Sequence, residues 1–301
     1  MNGIINVYKE KGFTSHDVVA KLRGIFHQKK IGHTGTLDPD AEGVLPVCLG
    51  NATKVCDLIT DKDKSYRAVL LLGVTTDTQD TSGEVLSRSE VSVTADEIKA
   101  AIESFVGEYD QVPPMYSAIK INGKKLYELA RKGVEVERPA RRITINDIYI
   151  ESIDIPRVTM HVKCSKGTYI RTLCHDIGEK LGCGGAMEEL LRTSSGIFGL
   201  SSALKLSQIE TMTKDGTIES KLLSVDSLFK EYPILRVDKT YDKILYNGNR
   251  LEPVMLKGDI ITPINGDKVR VYDDDGLFAG IYEFKADAGD YKPVKLFLNK
   301  G

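Results

Sequence analysis

The chain lacks a disulfide framework: its five cysteines (Cys48, Cys56, Cys164, Cys174 and Cys183) are an odd set with no C-x-x-C pair. That argues against both disulfide scaffolding and a thiolate metal site, and the cysteines are expected as small core residues. It lacks a long apolar run. Ala68 to Val74, counting Gly73, is the longest and falls far short of the roughly 20 residues a bilayer span needs. Met1-Asn2-Gly3-Ile4 also carries no basic stretch leading into an apolar segment, so neither a signal peptide nor a membrane role is expected and the cytoplasm is the expected location. No G-x-x-x-x-G-K-[ST] loop, G-x-G-x-x-G fingerprint, H-E-x-x-H or Cys/His cluster occurs, so no nucleotide cofactor and no metal is expected. Bulk charge is also missing. Forty-one basic against 43 acidic residues leave a net of −2, and any nucleic-acid footprint must be local.

It is local. Between Lys120 and Arg142 lie eight basic and three acidic residues, and residues 1–30 carry six basic and two acidic ones. Either cluster alone reads as a solvated face. Together they flank an unusual segment.

Periodicity supplies the rest of the frame. Ile4 to Tyr8 reads as a strand, and Thr14 with Asp17 as a capping box before a helix bearing Val18, Val19, Leu22, Ile25 and Phe26. Thr94 with Glu97 repeats that signal ahead of Ile98, Ala101, Ile102 and Phe105, with Gly107 closing the helix. Tyr66 to Leu72, Met115 to Ile121, Ile143 to Ile153 and Val158 to Cys164 read as strands, with Asn122-Gly123 a tight turn. Leu126 to Lys132 reads as a short helix ended by Gly133, and Ile170 to Leu181 as a longer one. From about Arg236 short β runs alternate with turn residues. The fold class predicted is α+β, with a mixed, mainly antiparallel sheet flanked by helices and a small C-terminal β domain. The expected domains are residues 1–235, with a basic insertion at about 112–142, and residues 236–301.

The densest segment is Gly32 to Lys54, with four glycines, two prolines, one histidine and three acids. Glycines permit close-approach backbone, and Pro39 restrains Asp38 to an extended conformation, so Asp38 is expected on a turn. Asp38-x-Asp40-x-Glu42-Gly43 begins like a calcium loop, but Leu49 stands where a bidentate Glu is required.

Gly32-His33-Thr34-Gly35-Thr36-Leu37-Asp38-Pro39, followed by Ala41-x-Gly43-Val44-Leu45-Pro46, resembles the catalytic motif of the TruB family, synthases that isomerise the T-loop uridine of tRNA. Lys64-Ser65-Tyr66-Arg67, Pro113-Pro114-Met115-Tyr116-Ser117-Ala118, Lys166 to Leu173 and Leu190-Leu191-Arg192-Thr193 extend the resemblance over roughly the first 200 residues. One departure is Lys9-Glu10, where the family has Lys-Pro. The resemblance implies a pseudouridine synthase core with Asp38 as nucleophile. It also implies Arg171 as the partner that keeps Asp38 charged, and Tyr66 against the base, serving in removal of the C5 proton. His33, Tyr169 and Leu190 are implied to line or touch the site. The basic segment corresponds to the family's RNA-gripping insertion, with Lys124, Lys125, Arg131, Arg141 and Arg142 meeting phosphate, and the C-terminal segment resembles a PUA-like domain.

The partner implied is the T arm of tRNA, bound by a monomer with no obligate protein partner. Two other readings stand beside it. A guide-dependent synthase subunit of a ribonucleoprotein shares the core motifs, and a non-catalytic RNA-binding protein would explain the basic clusters but has no need of Asp38 in its glycine frame.

Overall fold

The computed structural model describes residues 1–121, 123–258 and 263–298. Its helices are α1 (Ser15–Ile25), α2 (Cys56–Thr60), α3 (Ala95–Glu103), α4 (Leu126–Ala130), α5 (Ile170–Lys180), α6 (Leu206–Lys214) and α7 (Asp242–Tyr246). The first strands are β1 (Gly3–Lys9), β2 (Ile31–His33), β3 (Glu42–Leu49), β4 (Lys64–Leu72), β5 (Val74–Thr76), β6 (Val85–Arg88), β7 (Gly107–Gln111), β8 (Lys120–Ile121) and β9 (Lys124–Lys125). Then come β10 (Arg141–Asp154), β11 (Arg157–Cys164), β12 (Gly185–Ser195), β13 (Phe198–Gly199), β14 (Ile234–Val237), β15 (Leu256–Lys257), β16 (Lys268–Tyr272), β17 (Phe278–Lys285) and β18 (Asp290–Leu296).

Local chemistry sets the helix starts. The Thr14 hydroxyl accepts from Asp17 N at 3.0 Å while the Asp17 carboxylate accepts from Thr14 N at 2.9 Å, the reciprocal cap that opens α1. Thr94 and Glu97 open α3 in the same way. Gly107 does not close that helix: α3 stops at Glu103, and Gly107, at φ 110°, begins β7. The predicted strand over Met115–Ile121 shrinks to Lys120–Ile121, since Pro113 and Pro114 offer no N–H and Ser117 N turns back to Met115 O. Asn122 of the predicted tight turn lies outside the described residues.

A nine-stranded, mainly antiparallel sheet runs β1-β3-β12-β4-β11-β10-β7, with β2 beside β3 and β13 beside β12. Helices α3 and α5 cover the β4, β11 and β10 stretch through a core that includes Ile98, Ile102, Met160, Leu173 and Ile177, and α1 and α6 cover β1 and β3 through Val18, Leu22, Val47 and Ile209. Strands β14 to β18 make a separate five-stranded sheet with its own core around Val237, Leu245, Val271 and Tyr282. It leans on the first body where Phe297 and Ile281 meet Ala52, Val55 and Phe229. No helix among the described residues is long and apolar enough to cross a membrane.

Strands β3 and β12 meet in parallel at Glu42 and Gly43, against Leu191 and Arg192. Gly43 has φ 105°, and a Cβ there would lie 2.3 Å from the Arg192 carbonyl oxygen. Gly43→Ala therefore combines a left-handed backbone with a backbone clash and should destabilise the protein by about 3 kcal/mol or more. Denaturant unfolding measures this. A loss within about 1 kcal/mol would show that the two strands part without cost.

Candidate active site

The loop between β2 and β3 carries Asp38 on a turn, closed by Ala41 N donating to Asp38 O at 3.1 Å. Its flanks are anchored inward: Leu37 and Ala41 are buried in the core under α5. The Ser15 hydroxyl accepts from Leu37 N at 2.9 Å, and Thr34 N and Oγ1 both donate to Pro46 O at 3.1 Å. The Pro39 carbonyl accepts from Gly12 N at 2.9 Å and from Lys9 Nζ at 3.0 Å. With both flanks fixed, the carboxylate is held at the mouth of the loop.

Lys9 is a correction to the sequence reading. Counted there within a solvated basic cluster, it is fully buried and donates to the carbonyls of Phe13, Glu10 and Pro39, so it braces the Asp38 turn from beneath. Burial pulls its ammonium down to about 8, against the pull of Asp38. Glu10, which departs from the family motif, pairs at the surface with Lys205.

Arg171 comes from the first turn of α5. Its Nε lies 3.0 Å from Asp38 Oδ2 and its Nη2 3.3 Å from Oδ1, so the guanidinium meets the carboxylate with two nitrogens. The remaining donors go to Thr78 O at 3.0 Å, Tyr116 O at 2.8 Å and Asp80 Oδ2 at 3.4 Å. Arg171 is 6% exposed at its side chain and Asp38 38%, so one partner is locked inside and the other opens outward. Burial pushes the Asp38 carboxyl above its ordinary value and outweighs the opposing pull of Arg171. Arg171 thus limits a rise that desolvation causes.

Tyr66 on β4 is buried, and the charge of Asp38 acts on its hydroxyl. Tyr169 caps α5; Asp38, Arg171 and Arg141 all act on its hydroxyl, which burial pushes up. Leu190 on β12 pairs across with Ala68 and packs against the core that holds Leu37, Ala41 and Tyr66. His33 sits at the end of β2 with its ring edge-on to His16 at 5.4 Å, and burial lowers its pKa. Asp38, Tyr66, Tyr169 and Arg171 thus come together from three places in the fold: the β2–β3 loop, β4 and the start of α5.

Three further residues belong to this constellation. Gln111, 1% exposed, donates to Tyr169 O at 3.0 Å and accepts from Tyr169 N at 2.8 Å, fixing the start of α5. Asp80 gives Arg171 its second carboxylate and is held by the Thr78 and Ser82 hydroxyls. Arg192, the register partner of Tyr66, donates to Val44 O at 2.6 Å and Gly35 O at 3.3 Å.

The basic segment divides. Lys125 Nζ and Arg131 Cζ lie 5.3 and 5.4 Å from the Tyr127 ring centroid, and Lys124 is exposed beside them. Arg141 is exposed and reaches Tyr169 electrostatically. Arg142 differs: Asp110 and Glu108 hold it at 2.6 and 2.7 Å, so its charge is already matched within the chain.

Family comparison decides what this geometry belongs to. The N-terminal domain of TruB family pseudouridylate synthases matches residues 23–170, and the C-terminal domain of tRNA pseudouridylate synthase B matches residues 171–230. The chain is 57% identical over 307 residues to tRNA pseudouridine synthase B of Lachnoclostridium phytofermentans, spanning 99% of this chain and 100% of that one. The chain belongs to the TruB family. It is a pseudouridine synthase of that family, and hence an isomerase. A second TruB relative, tRNA pseudouridine synthase B of Clostridium perfringens (strain 13), is 47% identical over 305 residues, with all of both chains covered. The TruB fold also matches a chain in a crystal structure of a Cbf5-Nop10-Gar1 complex, with TM-score 0.71 and 26% identity over 99% of this chain and 85% of that one. A chain of an H/ACA RNP bound to a substrate RNA containing 2′-deoxyuridine shares the fold with TM-score 0.69, 24% identity and coverage of 99% and 86%.

Proposed function

We propose that this enzyme converts the T-loop uridine at position 55 of tRNA to pseudouridine, with Asp38 as nucleophile. The observation that carries the reading is the outward-facing Asp38 carboxylate held side-on by buried Arg171, with Tyr66 and Tyr169 within its electrostatic reach. Full-length identity to enzymes named for tRNA supports the substrate. A uridine must leave its stack to bring its C1′ to this carboxylate and its ring to Tyr66. Asp38 then attacks or stabilises C1′ as the C1′–N1 bond breaks. The freed uracil turns, C5 bonds to C1′, and Tyr66 takes the C5 proton.

Incubating the purified chain with an unmodified tRNA transcript and mapping pseudouridine tests this directly. Conversion of the T-loop uridine is expected. Conversion elsewhere would overturn the site assignment, and none without added guide RNA and protein would favour the ribonucleoprotein reading.

The segment around Tyr127 is assigned to the T-arm phosphates, through Lys124, Lys125, Arg131 and Arg141. Neutralising Lys124, Lys125 and Arg131 together should weaken tRNA binding and reduce the slope of log affinity against log salt by roughly two to three. Filter binding across a salt series measures it; an unchanged slope would remove the segment from the interface. Residues 1–235 then form the catalytic domain and 236–301 a PUA-like domain. A separate sheet and core support a division near there, although they begin two residues earlier, with Ile234 and Leu235 of β14.

A further inference from the structure

Besides Arg171, three basic side chains are buried around the site, Lys9, Lys64 and Arg192, and two have evident structural duties. Lys9 braces the Asp38 turn, and Lys64 donates to the carbonyls of Thr60 and Lys62 at the end of α2. Arg192 is different. It is 1% exposed and, among the described residues, makes no ion pair. Its guanidinium donates to Val44 O on β3 and Gly35 O in the motif loop, and it stands directly across the β4–β12 register from Tyr66, whose hydroxyl acts on it electrostatically. A buried charge without a counter-charge is costly to maintain. Among the described residues, the acidic group that acts on it is the Tyr66 phenol.

A guanidinium has no acceptor, so the Tyr66 oxygen can meet Arg192 only as an acceptor. That leaves the phenolic O–H free to turn away from Arg192, or to depart. We propose that Arg192 acts through Tyr66, holding its oxygen as an acceptor and stabilising it as the phenolate that removes the C5 proton. This rests on the reading of Tyr66 as that base. In the step, the C5–H bond breaks and the proton joins the phenolate oxygen. The electron pair closes the C5=C6 double bond, N1 takes up a proton from water, and the phenol returns its own proton to water. No net proton is consumed. Burial pushes the Tyr66 hydroxyl up, and Arg192 opposes that rise.

The test compares Arg192→Gln and Arg192→Lys with Tyr66→Phe. In ring-labelled tyrosine NMR, the Tyr66 signal is assigned by its absence from Tyr66→Phe. Its titration midpoint should move up by about one pH unit or more in Arg192→Gln. Turnover should fall on the order of 10²-fold, a C5-deuterium isotope effect on kcat should appear, and KM for tRNA should stay near wild type. Arg192→Lys, keeping the charge, should recover most of the loss. If Arg192→Gln does not fold, fluorotyrosine at position 66, a more acidic phenol, should speed Arg192→Lys toward wild type. An unmoved Tyr66 midpoint with no new isotope effect, or no gain from the fluorophenol, would reduce Arg192 to a structural staple. Wild-type turnover in Tyr66→Phe would instead sink the reading of Tyr66, whatever Arg192 does.

Discussion

Asp38→Asn should lower single-turnover conversion of tRNA by about 10⁴-fold or more, with no loss of thermal stability. Asn matches Asp in shape and still offers Arg171 one oxygen, but its amide cannot attack C1′ or balance charge developing there. The stability half follows from burial. Because the folded pKa of Asp38 is raised, its ionised form is penalised in the native state, and this penalty is present above the folded pKa. It fades as pH falls through the raised value toward the ordinary one. The substituted protein should therefore equal or exceed wild type in melting temperature at neutral pH, with the gap closing in acid. Wild-type turnover should also fail in acid at a higher pH than an ordinary carboxylate would dictate. Differential scanning calorimetry and a pH series of single turnovers check both halves. Activity within about tenfold of wild type would remove Asp38 from the chemistry; a large loss of stability would make its ion pair structural instead.

Why Asp38 could be read from the chain, while the groups around it could not, is a matter of range. Turn chemistry is local: Gly35, Pro39 and Gly43 announce an irregular path within a few residues, and Ala41 N closing on Asp38 O is that path made visible. Capping is local too, so Thr14 and Thr94 mark α1 and α3 correctly. The neighbouring strand β3 was hidden by the same residues that exposed the loop. Gly43 and Pro46 read as punctuation, yet Pro46 sits inside a buried strand opposite Asn6, giving its carbonyl to Thr34. Strand β12 contains Ala186, Met187, Glu188, Glu189, Leu190, Leu191 and Arg192, a run of good helix formers, and pairing with β4 overrides that preference. Losing β12 from the reading also lost the reason for Arg192, since its meeting with Tyr66 exists only once the two strands are in register. Gln111 and Asp80 likewise act across 58 and 91 residues of sequence on Tyr169 and Arg171.

Breaking the same ion pair from its other side should give the opposite stability result. Arg171→Met removes the donors to Thr78 O and Tyr116 O and leaves two carboxylates, Asp38 and Asp80, without their shared cation. Arg171 is buried although Asp38 opens outward, and its removal leaves the Thr78 and Tyr116 carbonyls and the Asp80 carboxylate short of a donor, so the loss should be about 3 kcal/mol, against none for Asp38→Asn. Turnover should fall as steeply as for Asp38→Asn, because an unsupported Asp38 is driven further toward its protonated form. The pH dependence separates this from simple misfolding. Protonation neutralises the stranded Asp38 carboxylate, so the variant should regain stability relative to wild type as pH falls from 8 toward 5, and lose it again on return. Adding Asp38→Asn to Arg171→Met should recover part of the lost stability and none of the turnover. Urea unfolding of the four proteins in this cycle gives the coupling energy directly. Additive losses would mean that Arg171 holds Thr78 and Tyr116 in place and does nothing for the carboxylate.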